Sequence, residues 1–159
     1  MALKIVSGGQ TGVDRAALDA ARASGLPCGG WCPAGRLAED GPIDPGYPLV
    51  ETPSADFAQR TEWNVRDSDG TLVVTRGRPT GGTALTVTLA RRHGKPLLVV
   101  DLSRDPSPEE VARWIEARAI GTLNVAGPRE SQRPGVGAQT LAFLLRLFAL
   151  TLGREPAAG

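Results

Sequence analysis

The chain has 159 residues, of which 41% are hydrophobic and 22% charged, and its formal net charge is +1 at pH 7. This length and composition predict a globular protein that can bury a core without disulfide bonds. The near-neutral charge argues against a nucleic-acid surface or a polybasic membrane anchor, and we expect neither a secretory leader nor a membrane span, hence a cytoplasmic protein.

Short apolar runs alternate with helical stretches along the chain. In chain order, we predict a strand at 3–7, a helix at 13–24, a long loop at 26–50, a helix from Thr52 to about Arg66, a strand at 71–75, a helix ending near His93, a strand at 96–100, a helix opened by Ser107, a strand at 122–126 and a helix at 137–152. Strands that alternate with helices in this way imply a parallel sheet covered by helices on both faces. We therefore predict a single Rossmann-like α/β domain over residues 1–154, with a frayed tail at 155–159.

Glycine-rich loops follow three of the predicted strands, at residues 8–15, 76–83 and 124–131. In an open parallel sheet, ligands bind beyond the carboxyl ends of the strands, and glycine lets backbone N–H groups approach an anion at a helix N-terminus. One helix end contributes about 0.3–2 kcal/mol, whereas micromolar binding needs about 8 kcal/mol, so several loops and an arginine would have to converge. The alternative is that each glycine turn only lets a helix pack closely on its strand. The loops supply these candidate ligand-binding residues: Gly8, Gly9, Gln10, Thr11, Gly12, Asp14, Arg15, Arg78, Thr80, Gly81, Gly82, Thr83, Gly127 and Arg129.

Three familiar motifs are excluded, two by spacing and one by its position relative to the strand. The first loop reads G-G-x-x-G, which is neither the G-x-G-x-x-G dinucleotide fingerprint nor a Walker loop with its Gly-Lys-Ser/Thr. We therefore expect neither a NAD-dependent dehydrogenase nor a P-loop NTPase. Residues 67–71 match the D-x-D-G-T signature of haloacid-dehalogenase phosphatases. In those enzymes the nucleophile follows a buried strand, whereas here the strand follows the motif, so we predict an ordinary turn.

A second polar cluster lies on the helix that ends near residue 66. Arg60, Asn64 and Asp67 share one helical face because they are spaced at i, i+4 and i+7. Such a stripe is either a solvated face, a wall of the pocket or an interface with a second subunit.

The long loop supplies the remaining candidates. Arg36, Glu39 and Asp40 could cover the pocket, with Trp31 either as an apolar wall or as an ordinary core residue. Loops of this length in compact domains are usually functional. Cys28 and Cys32 lack the second ligand pair of a structural zinc site, so we interpret them as structural thiols and predict no metal site.

Taken together, five segments resemble one known family, the putative molybdenum carrier proteins. The segments are residues 7–19, 29–36 with 38–40, 60–67, 81–83 and 124–131, so the resemblance covers nearly the whole chain. That family belongs to a Rossmann-like superfamily that includes the Lonely Guy phosphoribohydrolases and the DNA-processing protein A group. The resemblance implies a pocket for a phosphorylated pterin or a nucleotide, and a homo-oligomer, either a dimer or a tetramer.

One departure from the enzyme branch of that superfamily bears on activity. The phosphoribohydrolases carry a P-G-G-x-G-T-x-x-E motif, whereas residues 79–86 keep the glycines and threonine but have no glutamate. The leading hypothesis is therefore a non-catalytic binding protein for molybdenum cofactor or a related phosphorylated ligand. The alternative is a nucleoside-monophosphate phosphoribohydrolase-like N-glycosidic hydrolase, and a third hypothesis is a nucleotide sensor for a partner protein. A hydrolase would need a carboxylate from elsewhere, and the candidates are Asp14, Glu39, Asp40 and Glu62.

Overall fold

A computed structural model describes residues 3–153 of the chain. The predicted tail at 155–159 lies outside the described residues. The elements of the described residues, in chain order, are β1 (Lys4–Val6), α1 (Val13–Ala23), β2 (Cys28–Gly29), β3 (Trp31–Cys32), β4 (Leu37–Ala38), β5 (Gly41–Pro42), β6 (Val50–Glu51), α2 (Phe57–Arg66), β7 (Gly70–Thr75), α3 (Gly81–Arg92), β8 (Leu97–Asp101), a 3₁₀ turn (Leu102–Arg104), α4 (Pro108–Ala117), β9 (Thr122–Ala126) and α5 (Val136–Thr151).

The central sheet has five parallel strands in the order β2-β1-β9-β7-β8. Helices α1 and α4 both pack on α5, and α2 packs on α3. These two groups of helices form two layers, one on each face of the sheet, which confirms the predicted single Rossmann-like α/β domain. The strand order reverses around β9, because β1 connects through α1 to one side and β7 connects through α3 to the other.

The core lies between the sheet and the α1–α4–α5 layer. Helix α5 carries one charged residue among sixteen, and Leu144, Leu147 and Phe148 on its inner face are fully buried. They pack in one cluster with Ile5 of β1 and Leu123 of β9. Within the described residues, no helix is both long and apolar enough to cross a membrane.

The segment predicted as a loop at 26–50 is more ordered than expected. It contains five two-residue strands, of which β2 joins the central sheet, β3 pairs with β6, and β4 forms a hairpin with β5. Its own small core consists of Cys32, Ile43 and Leu49 packed on Leu18 of α1. Regular sequence patterning could not predict these strands because each is too short to display an alternation.

Helix α2 begins later than the capping pattern at Thr52 predicted. The backbone N–H of Thr52 donates to the carbonyl of Cys32 at 2.8 Å, which extends the β3–β6 pairing and keeps residue 52 out of a helix. The cap is Asp56, whose carboxylate accepts from the N–H of Ala58. The predicted cap of α4 is correct, since Ser107 accepts from the N–H of Glu110 at 3.3 Å.

Gly12, which precedes α1, brings the first and third glycine-rich loops into contact. Its φ is +76°, and a Cβ there would lie 2.4 Å from the carbonyl oxygen of Pro128. We expect Gly12→Ala to lower the free energy of unfolding by about 3 kcal/mol, because it combines an unfavourable φ with a backbone clash. Gly25→Ala is the matched control, since Gly25 has φ +73° and no atom near the added methyl group, so it should cost about 1 kcal/mol. Urea denaturation of both variants measures the difference, and equal losses would contradict the steric argument.

Candidate functional site

Two pockets lie at the carboxyl ends of β1, β9 and β7, one on each side of the sheet. The first, here called the α2–α3 pocket, has a volume of about 270 Å³ and lies against the N-termini of α2 and α3. It is lined by Gln10, Asp14, Phe57, Ala58, Arg60, Thr61, Gly81, Gly82, Thr83, Leu85, Thr86, Ala126, Gly127, Arg129 and Gln132. The second, the α1–α5 pocket, has about 720 Å³ and is lined by Thr11, Gly12, Arg15, Ala16, Asp19, Glu39, Asp40, Glu130, Ser131, Pro134, Gly137, Ala138 and Leu141.

The N-terminus of α3 opens into the α2–α3 pocket without a cap. Thr80 is the N-cap residue, but its side chain makes no capping hydrogen bond. Within residues 3–153, the N–H groups of Gly81 and Gly82 have no hydrogen-bond partner either. These donors and the helix dipole present a partial positive charge to the pocket.

Arg60 of α2 reaches the same pocket from the facing helix. Its side chain is only 14% exposed. Its Nη1 donates to the hydroxyl of Thr61 at 2.9 Å, and its buried Nε has no partner among the described residues. Gly8 makes room for it, since a Cβ at Gly8 would lie 2.8 Å from Nε. A guanidinium with spare donors beside an open helix N-terminus is suited to hold an anion.

Among residues 3–153, Asp14 is the only carboxylate that lines the α2–α3 pocket. Its Oδ2 lies 3.9 Å from Nη2 of Arg60 and accepts from the N–H of Gln10 at 3.4 Å, and its side chain is 6% exposed. Burial raises the pKa of Asp14 above the ordinary value, and the positive charge of Arg60 opposes this only in part. The pocket therefore holds a carboxyl group that keeps its proton more readily than a surface aspartate.

The first glycine-rich loop uses three of its N–H groups for hydrogen bonds inside the protein. Gln10 N–H donates to Asp14, Thr11 N–H donates to the side chain of Gln10 at 3.0 Å, and Val13 N–H donates to the carbonyl of Pro128 at 3.2 Å. Gly9 adopts φ +82° and turns its carbonyl oxygen toward the guanidinium of Arg15. At the α1 N-terminus, the N–H groups of Val13 and Arg15 therefore already have acceptors inside the protein, whereas at the α3 N-terminus those of Gly81 and Gly82 have none among the described residues.

The α1–α5 pocket is closed on one side by ion pairs from the β4–β5 hairpin. Arg15 donates to both carboxylate oxygens of Asp40, at 2.6 and 3.2 Å. Glu39 accepts from Thr11 and from the hydroxyl of Ser131 at 2.5 Å, and its Oε2 lies 3.5 Å from Nε of Arg129. The hydrogen bonds from Ser131 and Thr11 lower the pKa of Glu39, and that from Arg15 lowers the pKa of Asp40. Glu39 thus joins the first and third loops and separates the two pockets.

The sequence candidates divide accordingly. Eight are brought together in the α2–α3 pocket: Gln10, Asp14, Arg60, Gly81, Gly82, Thr83, Gly127 and Arg129. Five line the α1–α5 pocket: Thr11, Gly12, Arg15, Glu39 and Asp40. Gly8 and Asn64 lie beneath the α2–α3 pocket, in a cavity of about 10 Å³ that Asp14 and Arg60 also line.

The remaining candidates line neither pocket. Arg36 donates to the carbonyl oxygens of Asp44, Tyr47 and Leu49, so its guanidinium holds the long segment together. Thr80 is the N-cap of α3, Gly9 packs against Ile43 and Leu49, and Arg78 is exposed.

Residues 60–67, at the carboxyl end of α2, hold the long segment against this helix through contacts with Trp31. The amide of Asn64 accepts from the N–H of Trp31 at 2.8 Å and donates to its carbonyl at 3.0 Å. The indole N–H of Trp31 donates to Asp67 at 2.9 Å, and the ring meets Trp63 edge to face. Trp31 is therefore half-buried against α2 and does not line either pocket. Residues 67–69 form the predicted turn before β7, and the carboxylate of Asp69 accepts from the N–H groups of Gly121 and Thr122 at the start of β9, a long-range contact that the turn pattern did not predict.

Sequence reasoning missed Phe57, Leu85, Thr86 and Gln132 as pocket residues. Phe57 and Leu85 resemble ordinary helix positions, and only the packing of α2 on α3 brings them to one pocket. The sequence could have indicated Thr86, because this residue occupies the place of the missing glutamate in the motif at 79–86. Cys28 and Cys32 line neither pocket, and residues 3–153 contain no cluster of three His, Cys, Asp or Glu side chains suited to a metal.

The parallel sheet, its layers and the pockets at its carboxyl edge define a Rossmann-like α/β protein. The model of the circularly permutated YpsA SLOG family matches residues 5–148, and the chain belongs to this family. Among solved structures, a putative molybdenum carrier protein from Syntrophus aciditrophicus SB is 47% identical, with a TM-score of 0.86 over 92% of this chain and 94% of that chain. No curated protein matches the chain.

Proposed function

We propose that this protein binds a phosphorylated small molecule, either molybdenum cofactor or a nucleotide, in the α2–α3 pocket. The phosphate lies at the N–H groups of Gly81 and Gly82 and accepts from Arg60, while Arg129 reaches it from the third loop. The name of the similar crystallised protein, a molybdenum carrier, is consistent with a small-molecule ligand. We further propose that the protein works in the cytoplasm as a homo-oligomer.

One observation carries this proposal: two independent groups that are suited to bind an anion line one pocket. Within residues 3–153, the N–H groups of Gly81 and Gly82 at the α3 N-terminus have no partner, and Nη2 of Arg60 makes no hydrogen bond and lies 3.9 Å from Oδ2 of Asp14. Nε of Arg60 is not one of these donors, because it is buried against Gly8. Hydrogen bonds from such groups to a charged acceptor contribute about 1.5–3 kcal/mol each. The other glycine-rich loops support the pocket mechanically, since Gly8 and Gly127 admit close contacts to Arg60 and β7.

A second candidate function, hydrolysis of an N-glycosidic bond, is favoured by Asp14. Of the four carboxylates that could replace the missing glutamate, Glu39 and Asp40 face the other pocket, and Glu62 lies 3.3 Å from Nε2 of His93. Asp14 alone lines the α2–α3 pocket, and its raised pKa suits a proton donor to a leaving base. Against this, Thr86 occupies the position of the glutamate and its hydroxyl donates to the carbonyl of Gly82.

The first experiment is mass spectrometry of small molecules released from freshly purified, denatured protein, followed by calorimetric titration with inorganic phosphate, ribose 5-phosphate and AMP. A released pterin supports a molybdenum cofactor carrier, and a released nucleotide supports a nucleotide-binding protein. Absence of any phosphorylated molecule, together with no binding of the three probes, would overturn the proposal.

A backbone variant tests the phosphate position. We expect Gly82→Pro to weaken AMP binding about tenfold or more, because proline removes one N–H donor to a charged group. Proline is tolerated in the first helical turn, and the preceding Gly81 has no Cβ, so that only its backbone N–H meets the proline ring. Gly82→Ala is the control: it keeps the N–H, its methyl group meets no atom within 4 Å, and AMP affinity should be unchanged. Equal affinities for the two variants, both with normal circular dichroism, would place the phosphate elsewhere.

The hydrolase is tested by incubating the protein with AMP and measuring free adenine by chromatography. Release of adenine that disappears in Asp14→Asn would establish the second candidate. Binding without release would leave the protein as a carrier or sensor.

A further inference from the structure

The α2–α3 pocket has an apolar wall beside its anion-binding end. Phe57 is 45% exposed and Leu85 is 37% exposed, although large apolar side chains usually bury more of their surface in a folded protein. Both side chains line this one pocket together with Ala58. Within the described part of the chain, they are two of six large apolar side chains that remain exposed.

Each helix contributes one polar and one apolar group to the pocket. On α2, Phe57 precedes Arg60 by three residues, and on α3, Leu85 follows Gly81 by four. Residues at these spacings lie on the same face of a helix, about one turn or 5.4 Å apart. The apolar wall therefore lies one helical turn from the groups that would hold a phosphate.

Arg60 connects the two parts of the pocket physically. Its guanidinium carbon lies 5.5 Å from the centre of the Phe57 ring, which is within the range of a cation–π contact. The contact holds the ring of Phe57 in place relative to the cation. A ligand that bonds to Arg60 through its phosphate is therefore presented to a pre-positioned aromatic side chain.

We infer that Phe57 and Leu85 form the subsite for the flat heteroaromatic ring of the ligand, which packs on this wall while the phosphate lies at Arg60 and the α3 N-terminus. This inference rests on the proposed function and adds the residues that hold the part of the ligand that is not phosphate. Pockets for small ligands combine an apolar wall with a few placed polar groups in this way. A phosphorylated sugar without a ring system would satisfy the polar end only and leave the apolar wall exposed.

The test compares AMP with ribose 5-phosphate, which shares the sugar phosphate but has no base. In the wild-type protein we expect AMP to bind at least tenfold more tightly. Phe57→Ala and Leu85→Ala should each weaken AMP binding about tenfold and leave ribose 5-phosphate binding unchanged, because the base loses its stacking on Phe57 or its apolar contact with Leu85 while the anion site is intact. Phe57→Trp should retain AMP binding.

Leu145→Ala is the matched control for Leu85→Ala, since Leu145 is also 37% exposed on a helix but lines neither pocket. Equal affinity of the wild type for AMP and ribose 5-phosphate would overturn this inference and leave the proposed function standing. Failure of both to bind would overturn the proposed function itself. Sedimentation of Phe57→Ala adds a separate outcome: a wild-type oligomer that dissociates in this variant, with no change in AMP affinity, would assign the apolar wall to a subunit interface and overturn the inference.

Discussion

Replacing Arg60 by Gln is expected to weaken AMP binding at pH 7 about 100-fold or more. Hydrogen bonds to charged groups contribute about 1.5–3 kcal/mol each, and a guanidinium can donate two such bonds to one phosphate. Loss of both corresponds to about 3 kcal/mol or more, which is more than two orders of magnitude in Kd. Isothermal titration calorimetry measures the change directly.

Two further variants separate binding from folding. Arg78→Gln removes an arginine that is exposed and lines neither pocket, so AMP affinity should not change. Arg60→Gln alone removes the group that lies 3.9 Å from Oδ2 of Asp14 and buries a polar amide in its place, which destabilises the protein. The double variant Asp14→Asn/Arg60→Gln places two neutral amides at these positions and should recover part of that stability, but AMP binding should stay weak. An Arg60→Gln protein that folds normally and binds AMP as the wild type does would contradict the proposed site.

The fold could be predicted largely from local sequence. The alternation of strands and helices and the cap at Ser107 depend on neighbouring residues, and the structure agrees with them. The start of α2 could not be predicted, because Thr52 pairs through its backbone with Cys32, a residue twenty positions earlier. The order of the strands also depends on contacts that no local pattern contains.

The sequence could predict which residue types form the candidate site, but not which of these residues are available to a ligand and which are already bound within the protein. Arg15, Arg36 and Arg60 look equivalent in the sequence. In the structure, Arg15 is bound to Asp40 and Arg36 to three backbone carbonyl groups, whereas Arg60 keeps a donor without a partner among the described residues. Which arginine is free for a ligand is decided by partners up to 25 residues away along the chain. The glycine pattern likewise could not distinguish the α3 N-terminus, whose first N–H groups have no partner among the described residues, from the α1 N-terminus, whose first N–H bonds to the carbonyl of Pro128.

The buried carboxyl of Asp14 predicts a characteristic pH dependence of stability. Burial raises the pKa of Asp14 in the folded state above the unfolded value of 3.8. As the pH rises past 3.8, the unfolded chain loses this proton while the folded protein keeps it, so the stability of the wild type decreases until the folded pKa is reached. Asp14→Asn cannot titrate, so the stability of the wild type relative to this variant should fall with rising pH, by up to about 1.4 kcal/mol per pH unit.

The comparison between the two proteins isolates Asp14 from the other carboxylates. Glu39, Asp40 and Glu130 have lowered pKa values and make both proteins less stable as the pH falls. Because they are present in the wild type and in Asp14→Asn, their contribution cancels in the difference between the two unfolding free energies. Urea denaturation of both proteins at pH 4, 5, 6 and 7 supplies that difference, and any constant effect of the substitution on Arg60 changes its level but not its slope. If the difference in unfolding free energy stays constant or rises with pH, Asp14 is ionised in the folded protein throughout this pH range. The pocket would then hold a permanent negative charge beside Arg60 and would be poorly suited to a phosphate.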